Sequence, residues 1–276
     1  FMKRFRDRSV DVVWGLIRYL LGMCSGWGGT FQVNTLGVVS AILFAFRSIM
    51  IQEFSRLYAE ASECMMALGD DNLLMLKGVP LRVLQEVNPI MCRLLHAMGL
   101  FPKSVVSNVP SFCSQNFCPV KHRGDDGVWV ETFVLCPELN RFMSRNGIII
   151  KNKADRSLYT NAEIRAICKG NAISRSFFWG IPPFRGIIAY YDEQKYEADF
   201  SCWEAHQVQI LHAKERWAIS DKLAHFYLVA YGLTMADVLE LENFMWNVLT
   251  KCSGGTCAFE HPLLNLAAQH YNAVRG

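Results

Sequence analysis

The sequence is short of charge. Charged residues make up 19% of its 276 positions and the formal net charge is +3. That is too small to argue for a polyanionic partner by itself. No internal repeat and no low-complexity tract is present, so no repeat array or compositional linker divides the chain. Long apolar runs are also missing. The candidate "TLGVVSAILFAF" (35–46) has twelve residues before Arg47 interrupts it, fewer than a bilayer needs. The opening "FMKRFRDRSVDVVWGLIRYLLGMC" has the look of a signal peptide, but Asp11 and Arg18 break it and no small-residue cleavage site follows. The expectation is therefore no transmembrane segment and no leader. Phe1 in place of Met raises the expectation of a piece of a longer chain. A metal knuckle is only half present: Cys252 and Cys257 flank "SGGT", with no second Cys/His pair at ligand spacing nearby.

What is present is apolar bulk. Hydrophobic residues are 51% of the chain, enough for one large core or two coupled ones. The ten cysteines have irregular spacings and read as reduced, mostly buried thiols of a cytosolic protein. Charge is unevenly distributed. Nine basic residues face two acids between Asn140 and Arg185, whereas ten acids face four bases between Tyr191 and Glu242. One face is thus expected to meet a polyanion, with an ordinary solvated basic surface as the plain alternative.

Along the chain, "CSGWGGT" (24–30) reads as a glycine loop leading into a long helix over about 31–61, apolar nearly all round in its first half. "CMMAL" and "LLMLK" read as short strands joined by the turn formers "GDDN". A helix over 81–98 follows, ending at Gly99, and "SVVSN" (104–108) reads as an edge strand. "FCSQNFCPV" and "VWVETFVLC" form a second hairpin across "KHRGDDG". From about Pro137 the pattern is mainly helical, with Thr234 the expected N-cap of a helix over 234–252.

Two patterns carry chemistry. Ser25-Gly26-x3-Thr30-x3-Asn34 leads from the glycine loop into the helix, and Gly69-Asp70-Asp71 follows 35 residues after Asn34 on a hairpin tip. Adjacent acids there concentrate negative charge at a point that a hard cation offsets. A second Gly-Asp-Asp, 124–126, has basic neighbours Lys121, His122 and Arg123 and is followed by Gly127, so it reads as a turn only.

These residues resemble motifs B and C of the RNA-dependent RNA polymerases of positive-strand RNA viruses, S-G-x3-T-x3-N and strand–GDD–strand, at every fixed position. The resemblance covers about residues 20–136. It implies an α+β fold: a partial right-hand polymerase palm over 1–136 with a small antiparallel sheet, then a mainly helical thumb over 137–276. It also implies roles. Asp70 and Asp71 would be metal ligands for two Mg2+ or Mn2+ ions in the complete enzyme. Ser25, Gly26, Thr30 and Asn34 would bind the nucleotide, with Ser25 and Asn34 reading the ribose 2′-hydroxyl. Lys103, in the position of the motif D lysine, would be the general acid that protonates pyrophosphate. "FCSQ" resembles motif E of nidoviruses, which points Cys113, Ser114 and Gln115 at the primer. Arg141, Arg145, Lys151 and Lys153 would add thumb contacts to RNA.

The family's motif A acid is missing. Asp7 and Asp11 lie 18 and 14 residues before Ser25, too close for the element the family places between the two motifs. Fingers and motif A are thus expected elsewhere in the same polyprotein or polymerase, and this chain alone is expected to be inactive. Partners would be RNA template, primer or product, and nucleoside triphosphates, in a viral replication complex of the host cytoplasm. Two other readings stand beside this one. One is a reverse transcriptase-like polymerase, whose preceding motif lacks the Thr-x3-Asn helix. The other is a non-catalytic helical RNA-binding module built on aromatic–basic interleaving across 141–185.

Overall fold

A computed structural model describes residues 30–69, 71–124, 126–145, 158–173, 180–200 and 217–275. It is a mixture of helix and strand with small antiparallel sheets. The chain separates into two compact units, one running to Cys113 and one from Ser114 to Val274. The hairpin grouped above with the first 136 residues thus belongs to the second unit.

In the first unit, α1 (Thr30–Glu53) is followed by a short α2 (Ser55–Ala59). The single long helix expected here breaks at Phe54, whose backbone leaves the helical region at φ −135°. Next come β1 (Ser62–Leu68) and β2 (Asp71–Lys77), paired antiparallel from Ser62↔Lys77 to Leu68↔Asp71. The helix α3 (Leu81–Ala97) runs through Pro89 and ends where Gly99 turns left-handed, φ +82°. Residues 104–108 are not a strand, and the two-residue β3 (Ser111–Phe112) follows them. The hydroxyls of residues 104–108 bond elsewhere instead: Ser104 donates to Asn88 Oδ1 of α3 at 2.6 Å, and Ser107 Oγ accepts from the Val109 amide at 3.0 Å.

The core of this unit lies between α1, α3 and the hairpin. Phe46, Ile49 and Met50 pack with Val83 and Val87, and Leu74 and Leu76 of β2 close over them. Each fully buried side chain of this kind contributes about 1.5–3 kcal/mol. Among the described residues of α1, none before Ala41 is buried. Leu36 and Phe44 remain exposed. Residues 34–53 are long and apolar enough to cross a membrane by length and composition, a test that core helices also pass. Here Ala45 and Met50 are fully buried in protein, and Arg47 is ion-paired to Glu63.

The second unit is built on β4 (Gln115–Arg123) and β5 (Trp129–Pro137), antiparallel from Gln115↔Pro137 to Arg123↔Trp129. A strand not foreseen in the sequence, β6 (Trp217–Ile219), pairs with Val120–His122. Around this sheet are α4 (Leu139–Arg145), α5 (Asn161–Ile173), α6 (Phe184–Asp192), α7 (Leu223–Tyr231), α8 (Met235–Lys251) and α9 (Pro262–Arg275). Thr234 caps α8 as expected, in a reciprocal box with Asp237. A buried polar cluster ties the sheet to the helices: Asn116 donates to Tyr231 Oη at 2.6 Å and accepts from Tyr271 Oη at 2.9 Å. The described cysteines are free thiols. Burial pushes Cys136 up and takes Cys257 to about 12, so neither is a ready nucleophile.

Candidate active site

The β1–β2 hairpin closes tightly. Leu68 pairs with Asp71, leaving Gly69 and Asp70 as the connection. Gly69 takes φ +64°, a left-handed conformation that glycine adopts without a Cβ clash. Asp70 lies outside the described residues. Asp71 opens β2 with its side chain exposed. Asp71 therefore escapes the apolar strand that it opens, which removes the desolvation cost that burial would impose.

The helix that follows the glycine loop reaches this tip. The Gly69 amide donates to Thr35 Oγ1 at 2.9 Å. Asn34 precedes Thr35 in α1, and its Oδ1 is buried with no hydrogen-bond partner among the described residues. Thr30 begins α1, although its side chain lies outside the described residues, as do Ser25 and Gly26 altogether. Further along, Arg47 donates through Nε to Glu63 Oε1 at 2.8 Å, and Tyr58 Oη donates to Glu63 Oε2 at 2.9 Å. The hydrogen bond from Arg47 holds the Glu63 carboxyl below the usual carboxylate range. One helix is thus fastened to the hairpin at both its tip and its base. Neither fastening was foreseen. The available signals were Thr35 beside Asn34, and Arg47 as a lone charge in an apolar run.

Lys103 is exposed in the irregular segment after α3. Its neighbour Ser104 lines a cavity of about 240 Å³ together with Asn72, the neighbour of Asp71. Strand alternation turns Asp71 to the face opposite Asn72. Among the described residues no group of three or more His, Cys, Asp or Glu is set to hold a metal ion. Asp71 carries carboxylate oxygens, a hard donor type of the kind that suits Mg2+.

The other predicted positions fall in the second unit or at its start. Cys113 and Ser114 are both left-handed, φ +52° and +60°, forming a two-residue turn before Gln115 opens β4. Arg141 donates to Ser114 Oγ, and the Glu138 amide donates to Ser114 O at 3.1 Å. Arg145 closes α4 with its side chain outside the described residues, and Lys151 and Lys153 lie outside them altogether. Two other basic residues of the 141–185 stretch are engaged internally. Lys169 donates to the carbonyls of Gln194 and Tyr196 at 2.5 and 2.8 Å, and Arg185 holds Glu242 in a two-pronged pair at 2.6 and 2.8 Å. Phe142 and Phe184 are core, edge to face at 4.8 Å.

Comparison of the chain with protein-family models, with curated proteins and with solved structures finds no match.

Proposed function

We propose that this chain is part of an RNA-directed RNA polymerase of the positive-strand virus kind, comprising late palm and thumb. One observation carries the reading: the helix that begins with Thr30 and Asn34 is hydrogen-bonded to the tip of the Gly-Asp-Asp hairpin. Sugar-reading and metal-binding residues have to converge for nucleotidyl transfer, and a plain turn gives no reason for that convergence.

In this reading Asp70 and Asp71 contribute carboxylates to divalent cations, which, when bound, activate the attacking 3′-hydroxyl and stabilise the departing oxygen. A further acid from outside the present sequence completes the set. Asn34 Oδ1 accepts from the ribose 2′-hydroxyl, a donor that deoxynucleotides lack. An unpaired buried carbonyl costs about 1–3 kcal/mol, and a bound ribose would relieve it. Lys103, on the exposed segment after α3, gives its proton to pyrophosphate. Arg141 stands beside the Cys113–Ser114 turn as a contact for primer phosphates.

The reading as an RNA-binding module without catalysis draws less support. Lys169, Arg185, Phe142 and Phe184, which it needs at a surface, are taken up within the fold.

The test is template-directed extension by the full-length protein that carries this chain, with Mg2+ or Mn2+. Incorporation is expected, and Asn34→Ala is expected to narrow the preference for ribonucleotides over deoxynucleotides. Absence of incorporation by the full-length protein would overturn the proposal.

A further inference from the structure

We infer that Thr35 is a positioning residue that couples nucleotide recognition to metal placement, an inference that rests on the polymerase reading above. A tight hairpin leaves the amide of its first loop residue outside the strand ladder, and such an amide needs an acceptor. At Gly69 that acceptor is the hydroxyl of Thr35, 34 residues earlier in the chain, at 2.9 Å. Gly69 precedes the two acids directly, and Thr35 follows Asn34 directly. The bond therefore ties the residue that would read the ribose to the residues that would hold the cations.

The geometry has a consequence for kinetics. Without this acceptor the hairpin still forms, because its seven-residue strands remain paired from Ser62↔Lys77 to Leu68↔Asp71. What is lost is a single orientation of the tip relative to α1. Nucleotide would still reach Asn34, but the carboxylates would sample several positions, so the cost falls on metal use and turnover rather than on nucleotide affinity. Thr35 touches no reacting atom in this account and acts through Gly69.

The experiment compares Thr35→Val, which keeps the shape and removes the acceptor, with Thr35→Ser, which keeps the acceptor. Two readouts are taken. The first is hydrogen exchange of the Gly69 amide in the 276-residue chain, expected to quicken about tenfold in Thr35→Val and to stay near the parent rate in Thr35→Ser. The second is steady-state RNA synthesis by the full-length protein. There Thr35→Val is expected to lower kcat about tenfold and raise the Mg2+ concentration for half-maximal rate several-fold, with KM for nucleotide within about twofold, while Thr35→Ser restores both. Equal Mg2+ dependence and kcat in the parent and Thr35→Val overturn the inference, as does a loss confined to KM. If the parent protein makes no RNA, the polymerase reading fails instead, and the exchange result then reports only the structural bond.

Discussion

The molecule contains the same triplet twice, on two hairpins, and the two tips are held in opposite ways. At Gly124 the loop is closed by its own residues. The Gly124 amide donates to Val128 O and the Gly127 amide to Gly124 O, both at 2.9 Å. Asp126 Oδ1 accepts from the Val128 amide at 3.0 Å, and Arg123 Nε donates to Gly127 O at 3.1 Å. A carboxylate is used up in making the turn. At Gly69 the tip is shorter, Asp71 is exposed, and the stabilising acceptor comes from a distant helix. A triplet that satisfies itself locally needs nothing beyond a turn to explain it. A triplet braced from outside, with an acid left over, can serve a ligand.

The comparison breaks most visibly in catalysis. In the full-length protein, Asp70→Asn is expected to reduce RNA synthesis on the order of a thousandfold, the scale of losing one charge-stabilising group in a transition state. Asp125 lies outside the described residues, and Asp125→Asn is expected to leave the rate within about twofold, because a turn closed by its own residues has no share in that transition state. Extension assays on both variants, with circular dichroism to confirm the fold, check this. Comparable loss from both would erase the distinction between the two tips.

A second contrast concerns stability. Met50 is fully buried on α1 in the cluster that Leu74 and Leu76 cover. Met50→Ala is expected to cost about 2–5 kcal/mol. Hydrogen exchange should quicken across β1 and β2, because Leu74 and Leu76 of that hairpin pack on the Met50 cluster.

The second tip has its own weak point. Gly127 sits at φ +79°, with the Arg123 guanidinium packed where a Cβ would point. Gly127→Ala is expected to destabilise the β4–β5 tip by about 1–2 kcal/mol, the cost of a left-handed conformation for a residue with a Cβ. Local exchange rates at Arg123–Trp129 would report it, with β1 and β2 unaffected.

The smallest effect expected is at the base of the first hairpin. Glu63, hydrogen-bonded by Arg47, titrates lower in the folded chain than in the unfolded one. A depressed folded pKa contributes stability that is complete above the unfolded value, about 4.3, and is lost as pH falls through the folded value. Because Arg47 is half exposed, solvent screens the pair, and Glu63→Gln should cost only about 0.5 kcal/mol at pH 7. The denaturation midpoints of parent and variant should draw together as pH falls below about 4.3 and meet once it has passed the folded value.

Much of the local structure was legible in the sequence. The strands around Gly69, the Thr234 cap, the end of α3 at Gly99 and the hairpin around residue 124 follow from turn formers, capping residues and apolar periodicity. Each depends on groups a few residues apart. The misreadings share a different character. "SVVSN" has strand-forming residues, but a strand also needs a partner, and Ser104 and Ser107 bond elsewhere. The 31–61 helix breaks at Phe54, which packs with the α1–α3 core. At the site, the pairing of motif and hairpin could be read from residue types. The roles of Thr35 and Glu63 could not, because nothing local marks which distant group will meet them.

The sequence by itself determined that a glycine-led acidic turn joins two apolar strands, and that a capped and periodic set of helices follows. Backbone dihedral preferences and side chain-to-backbone bonds within a turn suffice for that. Only the tertiary structure decided which acidic turn is braced by a helix, and that Lys169 and Arg185 are bound within the fold. It alone added β6, a strand nearly a hundred residues beyond its partner β4. These depend on contacts between residues far apart in the chain. Such contacts form when buried apolar surface and satisfied hydrogen bonds outweigh the entropy of closing the loops between them, a balance that no short stretch of residues carries.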